Sequence, residues 1–223
     1  MGNPKRNQIK KVSYKSLTIN VKAFKLPHLL NQVIYGYIRQ SKASRSFKYA
    51  NTLLENNIGT PKPIAYIECK NLLGLRKSYY ISENLEYDLT YRELVTDPHY
   101  PSHEAILRAF TRFTYDLHEK GVNFLDHSPG NTLIVKRKVG YDFYLVDLNR
   151  MKFQEMSFHD RMQNFSRLTP KKEMVVVMSD EYAKISGLDY DRVYSKMWQL
   201  TEEFQEKFHR KQRLKKQIKF WKK

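Results

Sequence analysis

Asp126 and Asn131 stand five residues apart in GVNFLDHSPGNTLIV, residues 121 to 135, and Asp147 closes the apolar run YDFYLVD sixteen residues after Asn131. An aspartate that opens such a loop can accept the proton of an attacking hydroxyl. An asparagine a few residues on and an aspartate on the neighbouring strand supply oxygen ligands, which can jointly hold Mg2+ against the phosphates of ATP. The order of parts is a long helix ending LHEKG, then Asp126, Asn131, an apolar strand, a turn near Val139 and Gly140, a second apolar strand and Asp147. Phosphoryl transfer from ATP requires that order. The hairpin NTLIVKRKVGYDFYLVD is what would bring Asn131 and Asp147 side by side. In the plainer alternative, Asp126 and Asn131 close a turn through side-chain to backbone bonds and Asp147 ends a strand.

Those residues need elements to hold them. SLTINVKAF (16–24) alternates and is rich in β-branched residues, which predicts a strand. SKASRSFKYANTLLENN (41–57) sets Phe47, Ala50, Leu53 and Leu54 at helical spacing and stops at Gly59. Pro61 and Pro63 exclude helix from TPKPIAYIEC, which leads into a strand, and KSYYISENL (77–85) predicts another. The clearest helix is SHEAILRAFTRFTYDLHEKG (102–121): Ser102 is the N-cap, Ile106, Ala109, Phe110, Phe113 and Leu117 form its apolar stripe, and Gly121 stops it. YDFYLVDLNR (141–150) predicts an apolar strand, and from 151 the chain reads as helices. His118 suits the helix C-terminus and anchors the loop that follows. His127, beside Asp126, is a secondary candidate for substrate contact.

Composition narrows the class. With 223 residues, 41% hydrophobic and 13% aromatic, the chain can bury a core in one domain or in two small lobes. No window approaches the roughly 18 uninterrupted apolar residues that a spanning helix needs. MGNPKRNQIKK lacks the apolar core of a signal peptide, so a cytoplasmic location is expected. The single cysteine, Cys69, excludes an internal disulfide, offers no zinc spacing and reads as a small hydrophobe. The net charge of +17 sits at the ends. Residues 1 to 54 hold eleven Lys or Arg and no acid, and the residues after Glu206 hold nine and no acid. The stretch between carries 20 basic residues against all 23 acidic ones. The body is therefore not a basic slab, and the two ends would meet anionic partners such as phosphates, an acidic membrane surface or nucleic acid.

LHEKGVNFLDHSPGN, YLVDLNR, VKAFK and GTPKPIAYIE together resemble the protein-kinase-like superfamily, and more closely the lipopolysaccharide kinase (Kdo/WaaP) family of bacterial inner-core sugar kinases. The resemblance runs from about residue 17 to residue 150. It implies an α+β, protein-kinase-like two-lobed fold with a reduced N-terminal β lobe and a mainly helical C-terminal lobe. Residues 1–85 would form the first lobe, 86–206 the second with the catalytic loop and metal site, and 207–223 a basic tail. By the same resemblance Asp126 is the catalytic base, Asn131 and Asp147 hold the metal, and Lys22 in NVKAFK pairs with the ATP phosphates, with ATP and Mg2+ as cofactors. YYISEN resembles the hinge that reads adenine through backbone groups.

Three departures stand out. Only MGNPKRN precedes QIKKVSYKSLTINVK, which leaves no room for a full first strand and glycine-rich loop. Leu148 and Asn149 follow Asp147 where the superfamily has a glycine at its metal-binding turn. The helix expected to offer a glutamate to Lys22 shows Ser46, Phe47 and Lys48, and the first acid is Glu55.

Only 76 residues follow Asp147, and none resembles an activation loop with its closing motif, which favours a small or lipid-linked acceptor over a docked peptide. The resemblance implies a sugar hydroxyl of Kdo or heptose in a lipopolysaccharide precursor, at the inner face of the cytoplasmic membrane. Such a substrate is anionic and membrane-embedded, and a basic C-terminal tail with Phe204, Phe208, Leu214, Ile218 and Trp221 near one helical face would bring the enzyme to it. Two other readings stay open. One is a kinase-like ATPase or kinase of tRNA modification or ribosome assembly. The other is a non-catalytic nucleic-acid-binding protein, whose binding would weaken steeply with salt and ignore Mg·ATP.

Overall fold

The computed structural model describes residues 7–15, 17–26 and 28–220. In chain order the first elements are β1 (Gln8–Tyr14), β2 (Leu17–Ala23), α1 (Leu29–Val33) running into a π-helical turn (Ile34–Ile38), α2 (Lys42–Glu55), β3 (Pro63–Asn71) and β4 (Gly74–Glu83). There follow β5 (Leu89–Thr90), α3 (Tyr91–Thr96), α4 (His103–Glu119), β6 (Val122–Phe124), β7 (Thr132–Lys136), β8 (Tyr141–Leu145) and β9 (Met151–Phe153). The chain closes with α5 (Phe158–Phe165), α6 (Lys172–Ser186) and α7 (Tyr190–Phe220). It divides into two compact units, and the mixture of an antiparallel sheet with a helical remainder is the expected α+β class.

Unit 1 comprises residues 1–88, 133–135 and 142–151. Its antiparallel sheet has the order β1-β2-β4-β3, and Lys22 lies opposite Ile9 on one side and Tyr80 on the other. A full strand thus precedes β2, contrary to the expectation that there was no room for one. No glycine lies between Gly2 and Gly36, so β1 brings no glycine-rich loop with it. The helix read at 41–57 forms because Ser41 caps it, its hydroxyl accepting from the Ser44 amide at 3.0 Å, and because Ala43, Ala50 and Leu53 bury a face against β3 and β4. Full burial of Leu53 alone contributes about 1.5–3 kcal/mol. Cys69 lies exposed on β3 rather than packed as a hydrophobe.

The end of β8 is tied into this unit. The Leu145 amide donates to the Gly59 carbonyl at 2.8 Å, and the Thr60 hydroxyl donates to the Leu145 carbonyl at 2.8 Å. A Cβ on Gly59 would lie 2.1 Å from the Phe143 carbonyl oxygen, so only glycine admits this approach. The segment leading to Asp147 is thereby anchored beside the α2–β3 connection.

Unit 2 comprises residues 89–132, 136–141 and 152–223. Its core gathers Tyr91, Phe110, Phe165, Met178 and Tyr182 from several helices and Phe124 from β6. Between α4 and α6, Arg108 donates to Asp180 at 2.5 Å and to Glu181 at 3.1 Å, and the bond to Asp180 is the leading reason its guanidinium is held above its ordinary range. Gly121 ends α4 with a φ of 66°, a conformation glycine adopts without steric cost, and its carbonyl accepts from the Gln154 amide at 2.8 Å. Ser102 does not act as the expected cap: it is left-handed at φ 60° and its side chain makes no capping bond. The short strand β9 interrupts the region read as wholly helical and pairs with β6. Among the described residues no helix is long and apolar enough to cross a membrane.

Candidate active site

Lys22 is the penultimate residue of β2, and its ammonium stands 5.4 Å from the Phe24 ring centroid. The same Nζ donates to Asp147 Oδ1 at 2.6 Å, with the lysine side chain 14% exposed. Asn149 Nδ2 donates to that Oδ1 as well, at 2.7 Å. Asp147 itself has a φ of 62°, the left-handed region, which costs a non-glycine residue about 1–3 kcal/mol and recurs at functional positions. Helix α2 sends no carboxylate to Lys22. Ser46 is buried with its hydroxyl on the Lys42 carbonyl, and the neighbouring Arg45 is buried too. The acid missing from α2 is supplied from the end of β8.

In unit 2, β6 delivers the chain into a tight turn that carries Asp126. The Asn131 side-chain amide donates to the Asp126 carbonyl at 2.8 Å, and the Asn131 backbone amide to Ser128 at 2.9 Å. The two residues singled out by their spacing are thus brought into direct contact, with the Asn131 carbonyl oxygen turned away from that bond. Hairpin β7–β8 starts one residue after Asn131 and ends two residues before Asp147.

Three groups that the sequence did not single out fix this loop. Arg167 donates from one nitrogen to Asp126 Oδ1 at 2.9 Å and to the Leu125 carbonyl at 2.9 Å, and its guanidinium lies 5.6 Å from the Phe204 ring centroid. Asn164 donates to the Phe124 carbonyl at 2.9 Å and to Asn123 at 3.2 Å, so its Oδ1 must accept, from His127 Nδ1 at 2.8 Å and His118 Nε2 at 3.4 Å. That assignment leaves His118 Nδ1 to accept from the Tyr182 hydroxyl at 3.0 Å. The Arg92 guanidinium lies so near Gly130 that a Cβ there would be 2.5 Å from it. No spacing rule could have found Arg167 or Asn164, because each meets the loop across about forty residues of chain.

His127 is fully enclosed, its ring against Phe110 and Phe124, so it faces the core and not a substrate. His118 is buried as the anchor it was expected to be. Burial is the leading cause that lowers both imidazoles from 6.5, His118 to about 3 and His127 to about 4. Both are neutral in the fold while the unfolded chain protonates near its ordinary value. Stability is therefore complete above about pH 6.5 and is lost as the pH falls toward about 4. Thermal melts between about pH 6.5 and 5, above the carboxylate range, should show a falling midpoint. His127→Gln should shallow that slope, and a flat wild-type profile would refute the assignment.

For the base role that the resemblance implies for Asp126, Arg167→Ala should lower turnover roughly 10- to 100-fold through misplacement of that carboxylate, with nucleotide affinity unchanged. Arg167→Lys should restore part of the rate. A loss in KM for ATP equal to the loss in kcat would make Arg167 a general structural residue.

A sheet bearing a lysine paired with an aspartate, joined in one chain to a helical unit with an Asp/Asn loop, has the architecture of a kinase-like phosphotransferase. Residues 24–197 match the model of the lipopolysaccharide kinase (Kdo/WaaP) family, well over half of the chain, and the chain belongs to that family. It is an ATP-dependent phosphotransferase acting on a sugar hydroxyl, a lipopolysaccharide kinase. Among solved structures it is similar to WaaP in complex with acyl carrier protein, at 15% identity and a TM-score of 0.64, over 94% of this chain and 87% of that one, a likeness of fold. No curated protein sequence matches the chain. The family match begins at Phe24, so Lys22 lies outside it and stands on its geometry.

Proposed function

We propose that the chain transfers the γ-phosphoryl group of ATP to a hydroxyl of Kdo or heptose in a lipopolysaccharide inner-core precursor, at the inner face of the cytoplasmic membrane. The observation that carries this reading is the 2.6 Å pair between Lys22 and Asp147, two residues 125 apart in sequence. Family membership favours it over the nucleic-acid readings. Lys22 leaves Asp147 for the nucleotide phosphates when ATP enters. Asp126, its carboxylate oriented by Arg167, accepts the proton of the sugar hydroxyl as that oxygen bonds to the γ-phosphorus and the bond to the leaving ADP oxygen breaks. Asn131 and Asp147 offer carbonyl and carboxylate oxygens, the donors a hard cation prefers, and so fit Mg2+. That ion would supply charge neutralisation on the phosphates. Incubation with labelled ATP and lipid A precursors, with and without Kdo, followed by mass spectrometry of the product, tests the assignment. Label on a Kdo or heptose hydroxyl supports it; ATP turnover stimulated by RNA and by no precursor would overturn it.

We assign the membrane contact to the end of α7. From Lys207 onward this helix carries basic residues and no acid, with Phe208, Leu214 and Ile218 exposed. Trp221 lies outside the described residues, and Phe204, half-buried beneath Arg167, stacks on Phe208 at 6.3 Å between ring centroids. Attraction to anionic lipid is worth about 1 kcal/mol per basic residue near the surface, less with salt. Deletion of residues 210–223 should leave Mg·ATP binding intact, lower sedimentation with anionic vesicles, and raise KM for a membrane-embedded acceptor more than for a soluble sugar fragment. Equal vesicle binding by both proteins at two salt concentrations would exclude the tail.

A further inference from the structure

Unit 1 holds a second group of cations, and Lys22 is not among them. Where β2 ends, a cavity of about 210 Å3 is lined by Lys25, His28, Asn31, Tyr35, Lys42 and Ser78, with apolar walls that include Phe24. Lys42 is the first residue of α2, a fourteen-residue helix, so the cavity also lies at its N-terminal end. There amide donors and the helix dipole favour an anion. One turn further along the same helix, Arg45 is 8% exposed and its Nε is buried without a hydrogen-bond partner. Its guanidinium meets the hydroxyl of Tyr35, a lining residue, and Arg39 adds to the positive potential there. The first 54 residues contain no Asp or Glu, so the end of β2, α1 and the N-terminal part of α2 bring no carboxylate to the cavity. Among the described residues, no ion pair joins Lys25, Lys42 or Arg45 to a carboxylate.

A buried, unpartnered guanidinium nitrogen is costly to retain unless something compensates it. Two lysines lining one small cavity, with a buried guanidinium behind its Tyr35 wall, suit a compact multivalent oxyanion better than a single carboxylate. We propose that this cavity binds a phosphate monoester group. Lys25 and Lys42 provide its direct ionic contacts, Ser78 and Asn31 are polar partners, and Arg45 behind Tyr35 supplies field from within the fold. A soluble phosphate ester and a phosphorylated lipid headgroup both present this group. The cavity needs no part of the catalytic assignment, so it stands or falls separately from it.

The test uses the full chain with glycerol 3-phosphate as the soluble probe, titrated calorimetrically against wild type, a Lys25→Met/Lys42→Met double variant and Lys22→Ala. Neither Lys25 nor Lys42 is buried, so the double variant should fold, and its melting curve checks this. Loss of charge-assisted contacts predicts at least about a tenfold rise in Kd for the double variant and wild-type affinity for Lys22→Ala. The lipid source is probed with vesicles of phosphatidylcholine with and without phosphatidic acid, using protein lacking residues 210–223 so that the tail does not contribute. Vesicle binding that needs phosphatidic acid and is lost with Lys25 and Lys42 assigns a headgroup; glycerol phosphate binding without it assigns a soluble ester. The proposal is overturned if neither probe binds, if the double variant binds as wild type does, or if Lys22→Ala alone abolishes binding.

Discussion

Asp126→Asn is expected to lower turnover by roughly 10² to 10⁴-fold while ATP affinity stays at the wild-type value. The substitution keeps the side chain's shape and an oxygen for Arg167, whose second bond goes to the Leu125 carbonyl and does not depend on residue 126. Asn131 grips the backbone carbonyl of Asp126, so that contact also survives. What is lost is the capacity to take a proton from the acceptor hydroxyl. Single-turnover rates with saturating ATP, beside calorimetric ATP binding, separate the two quantities. Affinity and turnover falling together would make Asp126 a structural residue of the loop.

This contrast between chemistry and scaffold follows from how the loop is built. Asp126 has a polar support that reaches it from α5 and the residues just after it, and Asn164 holds the backbone immediately upstream. Arg167 stacks on Phe204 of α7, so the Asp126 carboxylate and the helix that runs on into the basic tail share one intermediate side chain. Loss of the tail beyond residue 209 leaves Phe204 in place, which is why the truncation should spare nucleotide binding.

Much of this arrangement was legible in the sequence where a local rule governs it. Helix α4 announces itself through the spacing of Ile106, Phe110 and Leu117 and through Gly121, whose left-handed φ only a glycine adopts readily. The β7–β8 hairpin follows from two apolar runs and a turn at Gly140, φ 83°. Strand β1 is hard to read because QIKKVSY offers little apolar content and residues 8–13 are exposed, so that its pairing with β2 rather than burial defines it. Ser102 misled because an N-cap residue type does not guarantee an N-cap conformation. The partner of Lys22 was sought on α2 by resemblance; it lies at Asp147, and a contact across 125 residues leaves no trace in periodicity. Arg167 and Asn164 are hidden for the same reason.

Asp147→Asn is expected to abolish Mg-dependent nucleotide binding and to leave thermal stability nearly unchanged. The two effects separate because the carboxylate serves different partners in the two states. Without nucleotide its charge is matched by Lys22, and an asparagine there keeps a carbonyl oxygen able to accept from the Lys22 ammonium, so the lysine is not left without a partner. Asparagine also tolerates the left-handed backbone at this position better than most residues, so the fold loses little there. With nucleotide, the same oxygens are proposed to hold a divalent cation, and a neutral amide would forfeit the charge that makes Mg2+ leave water for the site. Lys22→Ala should behave differently, weakening nucleotide affinity with and without Mg2+ and turnover alongside it, since its ammonium is proposed to meet the phosphates directly. Titrating ATP calorimetrically against both variants, in Mg2+ and in EDTA, reads these signatures independently. An Asp147→Asn protein that binds Mg·ATP as tightly as wild type would remove Asp147 from the metal site. A Lys22→Ala protein with unaltered affinity would place the phosphate contact on another side chain.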